Sequence, residues 1–290
     1  MSVERLRGGG GDRSHPGAAK IREKIKYSRL SRVATLPIRI GSVTYSARQL
    51  ARAIVYLVRG REWTNLSYDL APDNVSGFSA AIGLAAGVSP ALVRGYASEL
   101  RADEEFAQRY HQRVTGTRLR YVLEPRLRLS KCLIYYMLVR ANQPQFVVEA
   151  GTAYGLGSLA ICRALARNAA EGAPGKLVTI DIASDRGDFL DGDEGGLVTQ
   201  LTGDSVATIA TLDSNIDLFI HDTYPGHMRE QFAALEPKLT KDAVVVTVWF
   251  VEEFILFCER LGWPYLEIAE RPLDHWYPGG RYGIASDRMA

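Results

Sequence analysis

Cysteine and long apolar runs are both scarce in this sequence. The 290 residues include three cysteines, Cys132, Cys162 and Cys258, and none stands in a CxxC or Cys/His ligand spacing. This excludes a disulfide framework and a zinc site as the basis of the fold, and it favours a reducing cytoplasm. The apolar run at 53–58 is too short to cross a bilayer and no targeting segment is evident, so we expect a cytoplasmic protein without a membrane partner.

The net charge of +2 hides an asymmetry between the two halves of the chain. Residues 1–140 carry 24 basic and 11 acidic side chains, whereas residues 141–290 carry 11 basic and 22 acidic ones. A basic half can contact RNA, anionic lipid, an acidic substrate, or the acidic half of its own chain or of a second subunit. The last is the interpretation we favour, because the basic stretch at 20–32 has few aromatics and no RNA-recognition signature follows.

The chain divides by pattern into three parts. Glycines and charges at 1–20 indicate a disordered arm. Helical spacing dominates 21–140, with helix starts predicted at Ser76 and Ser89 and an amphipathic helix predicted over 128–143, ending before Pro144. We expect this helical region to act as a lid over the site and to support a homodimer.

From 141 to 290 short valine- and isoleucine-rich runs alternate with helical stretches. Candidate strands lie at 146–150, 176–182, 196–203, 216–222 and 243–250. Continuous apolar strands that alternate with helices predict a doubly wound α/β domain with a mostly parallel sheet. Two further runs, at 265–272 and 280–287, are joined by a loop and predict an antiparallel hairpin at the edge of the sheet.

The first of these strands leads into a glycine-rich turn, "FVVEAGTAYGLGSLAICRAL" at 146–165. Its glycine spacing is neither that of a dinucleotide site nor that of a P-loop, which makes a pyrophosphate ligand less favoured. Glu149 ends the strand, where a carboxylate can receive hydrogen bonds from a cationic or polyhydroxylated ligand. Gly151 and Gly155 are expected to let the backbone approach that ligand closely.

Two more strands end in acids. Asp181 follows the second strand, where such a sheet presents a carboxylate to ribose hydroxyls, and Gly203, Asp204 and Ser205 follow the third, where they can cradle a purine edge. Taken singly, Asp181 or Asp204 is as readily a helix N-cap. Their order and spacing together are more specific.

The series "VVEAGTAYGLGS", "VTIDI", "LTGDS" and "IDLFIHDTYPGHMREQF" resembles a class I S-adenosylmethionine-dependent methyltransferase of the small-molecule O-methyltransferase-like group, as does "IYYMLVRANQP" before the first strand. The resemblance covers about 134–290 and implies a Rossmann-like sheet that binds S-adenosyl-L-methionine. It implies that Glu149 and the turn hold the methionine end, Asp181 the ribose, and Asp204 with Ser205 the adenine, while Asp222 lies beside the sulfonium and the acceptor. The expected cofactor-binding set is Glu149, Gly151, Thr152, Tyr154, Gly155, Ser158, Asp181, Gly203, Asp204, Ser205 and Asp222.

Methyl transfer to oxygen needs alignment and removal of a proton. The fourth strand ends in "FIHDTYPGHM", where His227, and after it His221, is a candidate base that Asp222 orients. The alternative for His221 is a core histidine that faces the packed helix layer. His275 is a second-choice base.

Members of the resembled group often carry acids after the fifth strand, in a constellation that binds a divalent metal. Here Val248 and Trp249 stand at that place, and Glu252 with Glu253 is expected to begin a solvated helix. The oxygen-ligand cluster is incomplete, so transfer without a metal is predicted. Acceptor contacts are expected from four aromatic residues, Tyr224, Trp249, Trp276 and Tyr277, the last two on a loop that is equally well a structural cap of the sheet edge.

Three hypotheses follow from the sequence. The first is a small-molecule methyltransferase, most consistent with O-methylation by a histidine base. The second is an RNA methyltransferase that uses the basic region, although "HDTYPG" lacks the Asn/Asp-Pro-Pro-aromatic motif of nucleobase enzymes. The third is a cofactor-binding protein without methyl transfer.

Overall fold

The computed structural model describes residues 36–62, 66–190, 196–213 and 215–290. The predicted arm at 1–20 and the basic stretch at 20–32 lie outside these ranges. By its contacts the chain forms one unit up to Val55 and a second over Tyr56–Ala290. The described part of the first unit is helical and belongs to α1, Leu36–Arg59.

The helices that precede the main sheet begin and end at recognisable residues. They are α2 (Pro72–Ala86), α3 (Pro90–Arg101), α4 (Glu104–Gly116) and α5 (Ser130–Asn142), with a 3₁₀ turn at Arg118–Tyr121. Ser89 caps α3 as predicted, accepting a hydrogen bond from the Leu92 amide at 3.2 Å. The predicted start at Ser76 is wrong, because Pro72 occupies the first turn of α2 and the helix begins there.

Helix α5 is buried on every face. All of its residues except Lys131 and Asn142 are buried, so the prediction of an amphipathic helix is wrong. Helix α5 packs against the helix at Leu156–Ala170, which follows the first strand of the main sheet, and against α2 and α3. An all-round apolar helix of this kind belongs to the interior of a protein.

The main sheet has seven strands in the order β4-β3-β2-β5-β6-β9-β7. These are β2 (Phe146–Ala150), β3 (Lys176–Asp181), β4 (Val198–Thr202), β5 (Ile216–His221), β6 (Leu239–Thr247), β7 (Tyr265–Ala269) and β9 (Arg281–Ser286). Strands β2 to β6 pair in parallel, while β9 is antiparallel to both β6 and β7. The predicted mostly parallel α/β sheet with its antiparallel pair at one edge is therefore confirmed.

Each face of the sheet is covered by a different set of helices. Alternate strand residues, such as Val147 and Val148, belong to two separate hydrophobic clusters. Residues of α2 to α5 and of α6 (Leu156–Ala170) share the first cluster. Residues of α7 (Ser205–Thr211), α8 (Met228–Leu235) and α9 (Glu252–Leu261) share the second.

A two-stranded sheet lies outside the main one. It pairs β1 (Asp69–Leu70) with β8 (Pro272–Leu273) in antiparallel register. Its flanks are joined further, since Asn74 receives a hydrogen bond from the Arg271 amide at 2.8 Å and donates one to the Ala269 carbonyl at 2.9 Å. The segment before α2 is thus attached to the segment between β7 and β9.

No single helix in the described ranges has the length and apolarity needed to cross a membrane. The bent pair of α2 and α3 passes that test by length and composition alone. Residues of both helices are buried within the first hydrophobic cluster.

Replacing Gly283 of β9 by alanine adds one methyl group where β9 packs against β6, and we predict that this substitution destabilises the fold. A Cβ at Gly283 would lie 2.5 Å from Phe254 Cε1 and 2.9 Å from Thr247 Cγ2. We expect Gly283→Ala to lower the free energy of unfolding by about 1–3 kcal/mol, because overpacking forces both side chains to move. Urea denaturation followed by circular dichroism measures this.

Gly77 in α2 supplies the matched control, since a Cβ there meets nothing within 4 Å. Gly77→Ala should raise the free energy of unfolding by about 0.5–1 kcal/mol through helix propensity. Equal effects of the two substitutions would contradict the packing described for β9.

Candidate active site

A cavity of about 310 Å³ opens at the carboxyl ends of β2 and β5. Its walls come from three separate parts of the chain: the segment before α5, the ends of the central strands, and the segment around β9. The lining residues are Leu66, Ser67, Tyr68, Tyr110, Leu123, Arg128, Ser130, Lys131, Cys132, Glu149, Thr152, Ala153, Tyr154, Leu156, Gly157, Asp222, Val248, Trp249, Glu270, Tyr277, Gly280 and Tyr282. Its volume falls within the range of small-molecule sites.

The glycine-rich turn connects β2 to α6 with left-handed backbone at Gly151 (φ 107°) and Gly155 (φ 83°). A Cβ at Gly151 would lie 2.1 Å from the Asp222 carbonyl oxygen. A Cβ at Gly155 would lie 3.0 Å from Leu190 Cγ. The missing side chains therefore make room for other parts of this chain, which is a different reason from the approach to a ligand that the sequence suggested.

Glu149 lies at the end of β2 with 1% of its surface exposed. Its Oε2 accepts hydrogen bonds from the hydroxyls of Ser158 and Thr179, the latter at 2.7 Å, and Thr179 in turn lies 2.7 Å from the Thr152 hydroxyl. Burial raises the pKa of Glu149 to about 7, although both hydroxyl hydrogen bonds oppose the rise. Near neutral pH the carboxyl is therefore poised between its two forms.

Asp181 is the last residue of β3, and Gly203, Asp204 and Ser205 follow β4; all four lie outside the cavity lining. Both Asp181 oxygens accept backbone hydrogen bonds, from Ala153 at 2.9 Å and Ala183 at 3.0 Å. Asp204 caps α7 by accepting from the Ala207 amide at 2.9 Å. Thus the N-cap alternative describes Asp204, while Asp181 braces the glycine turn.

Asp222 follows β5 directly and forms an ion pair that the sequence did not predict. Lys131 Nζ donates to Asp222 Oδ2 at 2.6 Å, with side-chain exposures of 30% for the lysine and 13% for the aspartate. Burial lowers the pKa of Lys131, but the Asp222 carboxylate and then Glu149 outweigh that effect and the pKa is raised. Lys131 is consequently an ammonium at neutral pH.

The three candidate histidines lie outside the cavity lining. His221 is fully buried in the face of the sheet that α8 covers, its ring 6.0 Å from that of Phe232, and burial lowers its pKa to about 4. It is placed as a core side chain, the alternative that the sequence left open. His227 is exposed at the end of a 3₁₀ turn, and His275 accepts from the Tyr277 amide through Nδ1 at 3.0 Å.

Two of the four aromatic residues proposed to contact an acceptor line the cavity, namely Trp249 and Tyr277. Trp276 instead packs on Tyr56, with ring centroids 4.6 Å apart, and its indole nitrogen is buried. Tyr224 is 77% exposed. The loop after β8 therefore places one aromatic side chain at the cavity and packs the next one against Tyr56.

Sequence reasoning also missed Tyr68 and Glu270, which form the wall opposite the glycine turn. The Tyr68 hydroxyl donates to Glu270 Oε2 at 2.5 Å, and the Gly280 amide donates to the same oxygen at 2.8 Å. Burial raises the pKa of Glu270. A signal existed for Lys131, the cation in the first turn of a largely apolar helix, but none existed for two residues 202 positions apart.

Within the described residues, no group of three or more His, Cys, Asp or Glu side chains is placed to hold a metal ion. The acceptors in and near the cavity are compatible with S-adenosylmethionine. Glu149 and Asp222 line the cavity, Asp222 being paired with Lys131, and Asp181, outside the lining, keeps acceptor capacity for ribose hydroxyls beyond its two backbone bonds.

Residues 148–247 match the family described as a methyltransferase domain. No curated protein matches the sequence. The strand order and the acids at the ends of β2 and β3 agree with the family match. The match supports the assignment of residues 148–247 to an S-adenosylmethionine-dependent methyltransferase domain.

Several solved structures are similar to this chain. The O-methyltransferase TomG from Streptomyces achromogenes, involved in tomaymycin synthesis and solved with S-adenosylmethionine, is 19% identical over 63% of this chain and 89% of its own, with a TM-score of 0.46. A methyltransferase from Geobacter sulfurreducens is 21% identical over 62% and 88%, with a TM-score of 0.45. An O-methyltransferase from Bacillus cereus with S-adenosylhomocysteine is 11% identical over 63% and 91%, also with a TM-score of 0.45.

The raised pKa of Glu149 predicts a pH-dependent stability difference. Between the ordinary carboxyl value of 4.5 and about 7, the folded protein holds this proton more tightly than the unfolded chain does. That contribution is complete below pH 4.5 and is lost as the pH rises through about 7. Glu149→Gln, which stays neutral, should exceed wild type in unfolding free energy at pH 8 by an amount on the order of 3 kcal/mol.

Urea denaturation at intervals from pH 4.5 to 8 measures this difference, with Glu230→Gln on the exposed face of α8 as the control. The Glu149→Gln advantage should shrink steadily toward low pH, and the control should show no such trend. Parallel stability curves for wild type and Glu149→Gln would contradict the assigned state of this carboxyl.

Proposed function

We propose that this protein transfers a methyl group from S-adenosylmethionine to an oxygen atom of a small-molecule acceptor. The observation that carries the proposal is the cavity itself. It joins Glu149 and the glycine turn on one side to Tyr68, Trp249 and Tyr277 on the other. Aromatic side chains with a few convergent polar groups are the usual lining of a site for a small organic ligand.

When bound, S-adenosylmethionine supplies an electrophilic methyl group on a sulfonium. Glu149 and the glycine turn hold its methionine end, Asp181 holds the ribose, and Asp222 lies beside the sulfonium and the acceptor. Asp204 and Ser205, at the end of β4, face the adenine, and Tyr154 and Ser158 support the turn. Trp249 and Tyr277 bind the acceptor by stacking on a planar group, and the walls exclude water from the reacting atoms.

A histidine removes the acceptor's proton, and of the three candidates His227 fits best. His221 is buried away from the cavity, and His275 has its Nδ1 lone pair committed to the Tyr277 amide. The pairing of Asp222 with an ammonium group supports transfer without a divalent metal, because this carboxylate already has its cation. The proposal is completed by a cytoplasmic homodimer that acts on a small molecule rather than on nucleic acid.

Cofactor binding tests the assignment of Asp181. Asp181→Asn keeps one oxygen for the backbone amides of the turn but loses the charge. We expect the dissociation constant for S-adenosylhomocysteine to rise about 10- to 100-fold, as for the loss of a charged hydrogen bond. Calorimetric titration measures it, with the exposed Asp213→Asn as the control. Unchanged affinity in Asp181→Asn would remove Asp181 from the site.

Activity measurements test both the proposed general base and the proposed independence from a divalent metal. In a screen of hydroxylated aromatic acceptors, the release of S-adenosylhomocysteine should be unaffected by exhaustive treatment with EDTA. His227→Gln should lower kcat by about 10²- to 10⁴-fold and remove the acidic limb of the pH profile. Activity restored only by an added divalent cation would refute the metal-free part, and a normal pH profile in His227→Gln would refute the base.

A further inference from the structure

Lys131 occupies a position that helix energetics disfavour. It is the second residue of α5, where the helix dipole opposes a positive charge, and the first turn contains no acidic residue. Apart from Asn142 at the far end, every other residue of this helix is buried. The favourable partner of this lysine therefore comes from outside its helix, namely Asp222 after β5.

The ammonium group lies among the three carboxyls of the cavity. It donates to Asp222 Oδ2 at 2.6 Å, it is among the charges that act on Glu149 and Glu270, and these are the acidic residues of the lining. An ammonium carries three N–H donors, and within the described residues Asp222 receives the one hydrogen bond that Lys131 makes. The lysine thus keeps donors for a ligand in the cavity.

The net charge of the cavity lining is less negative than three fully ionised acidic residues would make it. Burial raises the pKa of Glu149 to about 7, so its negative charge is reduced near neutral pH, and burial also raises the pKa of Glu270. Asp222 is balanced by Lys131, and Arg128, half-buried in the lining, has no hydrogen-bond or ion-pair partner in the described part of the chain. A sulfonium adds one more positive charge, so an anion is the form of acceptor that this lining stabilises best.

The ammonium is paired with the residue that the proposed function places beside the sulfonium and the acceptor. Asp222 donates its backbone amide to Ala150 at 2.8 Å, and its carbonyl oxygen stands against Gly151. The group paired with Asp222 is therefore held beside the turn that receives the methionine end in the proposed function.

We propose that Lys131 is a catalytic residue whose ammonium binds the nucleophilic oxygen of the acceptor in its anionic form, with Asp222 fixing the ammonium in place. This inference rests on the proposed function. The acceptor is then an acidic hydroxyl compound, whose proton passes to the base and on to bulk water. Its oxyanion forms the new C–O bond with the methyl carbon, and the electron pair of the broken S–C bond remains on sulfur as a neutral thioether.

The experiment measures the ionisation of a bound phenol rather than turnover. Protein loaded with S-adenosylhomocysteine is titrated with 4-nitrophenol at a series of pH values, and the visible absorbance of the phenolate reports which form is bound. Wild type should bind the phenolate more tightly than the phenol. Lys131→Met should weaken phenolate binding at least about tenfold while leaving phenol binding unchanged, since an opposite charge at contact distance is worth that much.

Two further variants make the result specific to this charge. Lys131→Arg keeps a cation and should restore most of the preference for phenolate. Lys241→Met removes the same charge from an exposed position in the first half of β6, at the end of the strand away from the cavity, and should behave as wild type.

The outcomes separate this inference from the proposed function. If wild type does not bind S-adenosylhomocysteine by calorimetry, it is the methyltransferase function that fails. If it binds S-adenosylhomocysteine but binds no phenolate, or shows no preference for phenolate over phenol, the role of Lys131 is overturned. The same holds if Lys131→Met keeps the preference while its cofactor affinity and melting temperature match those of wild type.

Discussion

The parallel pairing of β2 with β5 is the constraint on which the site depends. It pairs Ala150 with His221, so the two strands end side by side at one edge of the sheet. The backbone of Asp222 therefore contacts Gly151. Only a residue without a side chain fits at that contact, and its positive φ turns the chain toward α6. This pairing brings the carboxyl of Glu149, at the end of β2, close to the ion pair that Asp222 forms just after β5.

Around that point the cavity is assembled from distant parts of the sequence. Helix α5, buried on all sides between α6 and the earlier helices, delivers Lys131 to Asp222 across 91 positions of chain. The segment before α2 and the strands after α9 supply the opposite wall, where Tyr68 and Glu270 meet. The acidic half of the chain thus provides the sheet and most of the carboxyls, while the basic half provides the cations that face them.

The sheet was predictable because its strands are short, apolar on both faces and separated by helices, and because acids at their ends mark one edge. Glu149 and Asp222 were identified in this way, and both line the cavity. The histidines were harder to place. His221 and the next residue, Asp222, are neighbours in sequence, and neighbouring strand positions face opposite sides of the sheet. Tyr68, Lys131 and Glu270 carry no local signal of proximity, since only the tertiary fold brings them to one cavity. The amphipathic interpretation of α5 failed for a related reason, as its polar residues are neutralised by partners elsewhere in the chain, Arg140 by Glu171 at 2.7 Å among them.

The small β1–β8 sheet allows one wall of the cavity to be built separately from the main sheet. The wall that carries Tyr68, Glu270 and Tyr277 is built on this ribbon and its flanks, not on the parallel strands that bear Glu149 and Asp181. Substitutions in the ribbon can therefore reshape that wall while the ends of the parallel strands keep their geometry. Under the proposed function, such substitutions would change the choice of acceptor and leave cofactor binding unaltered.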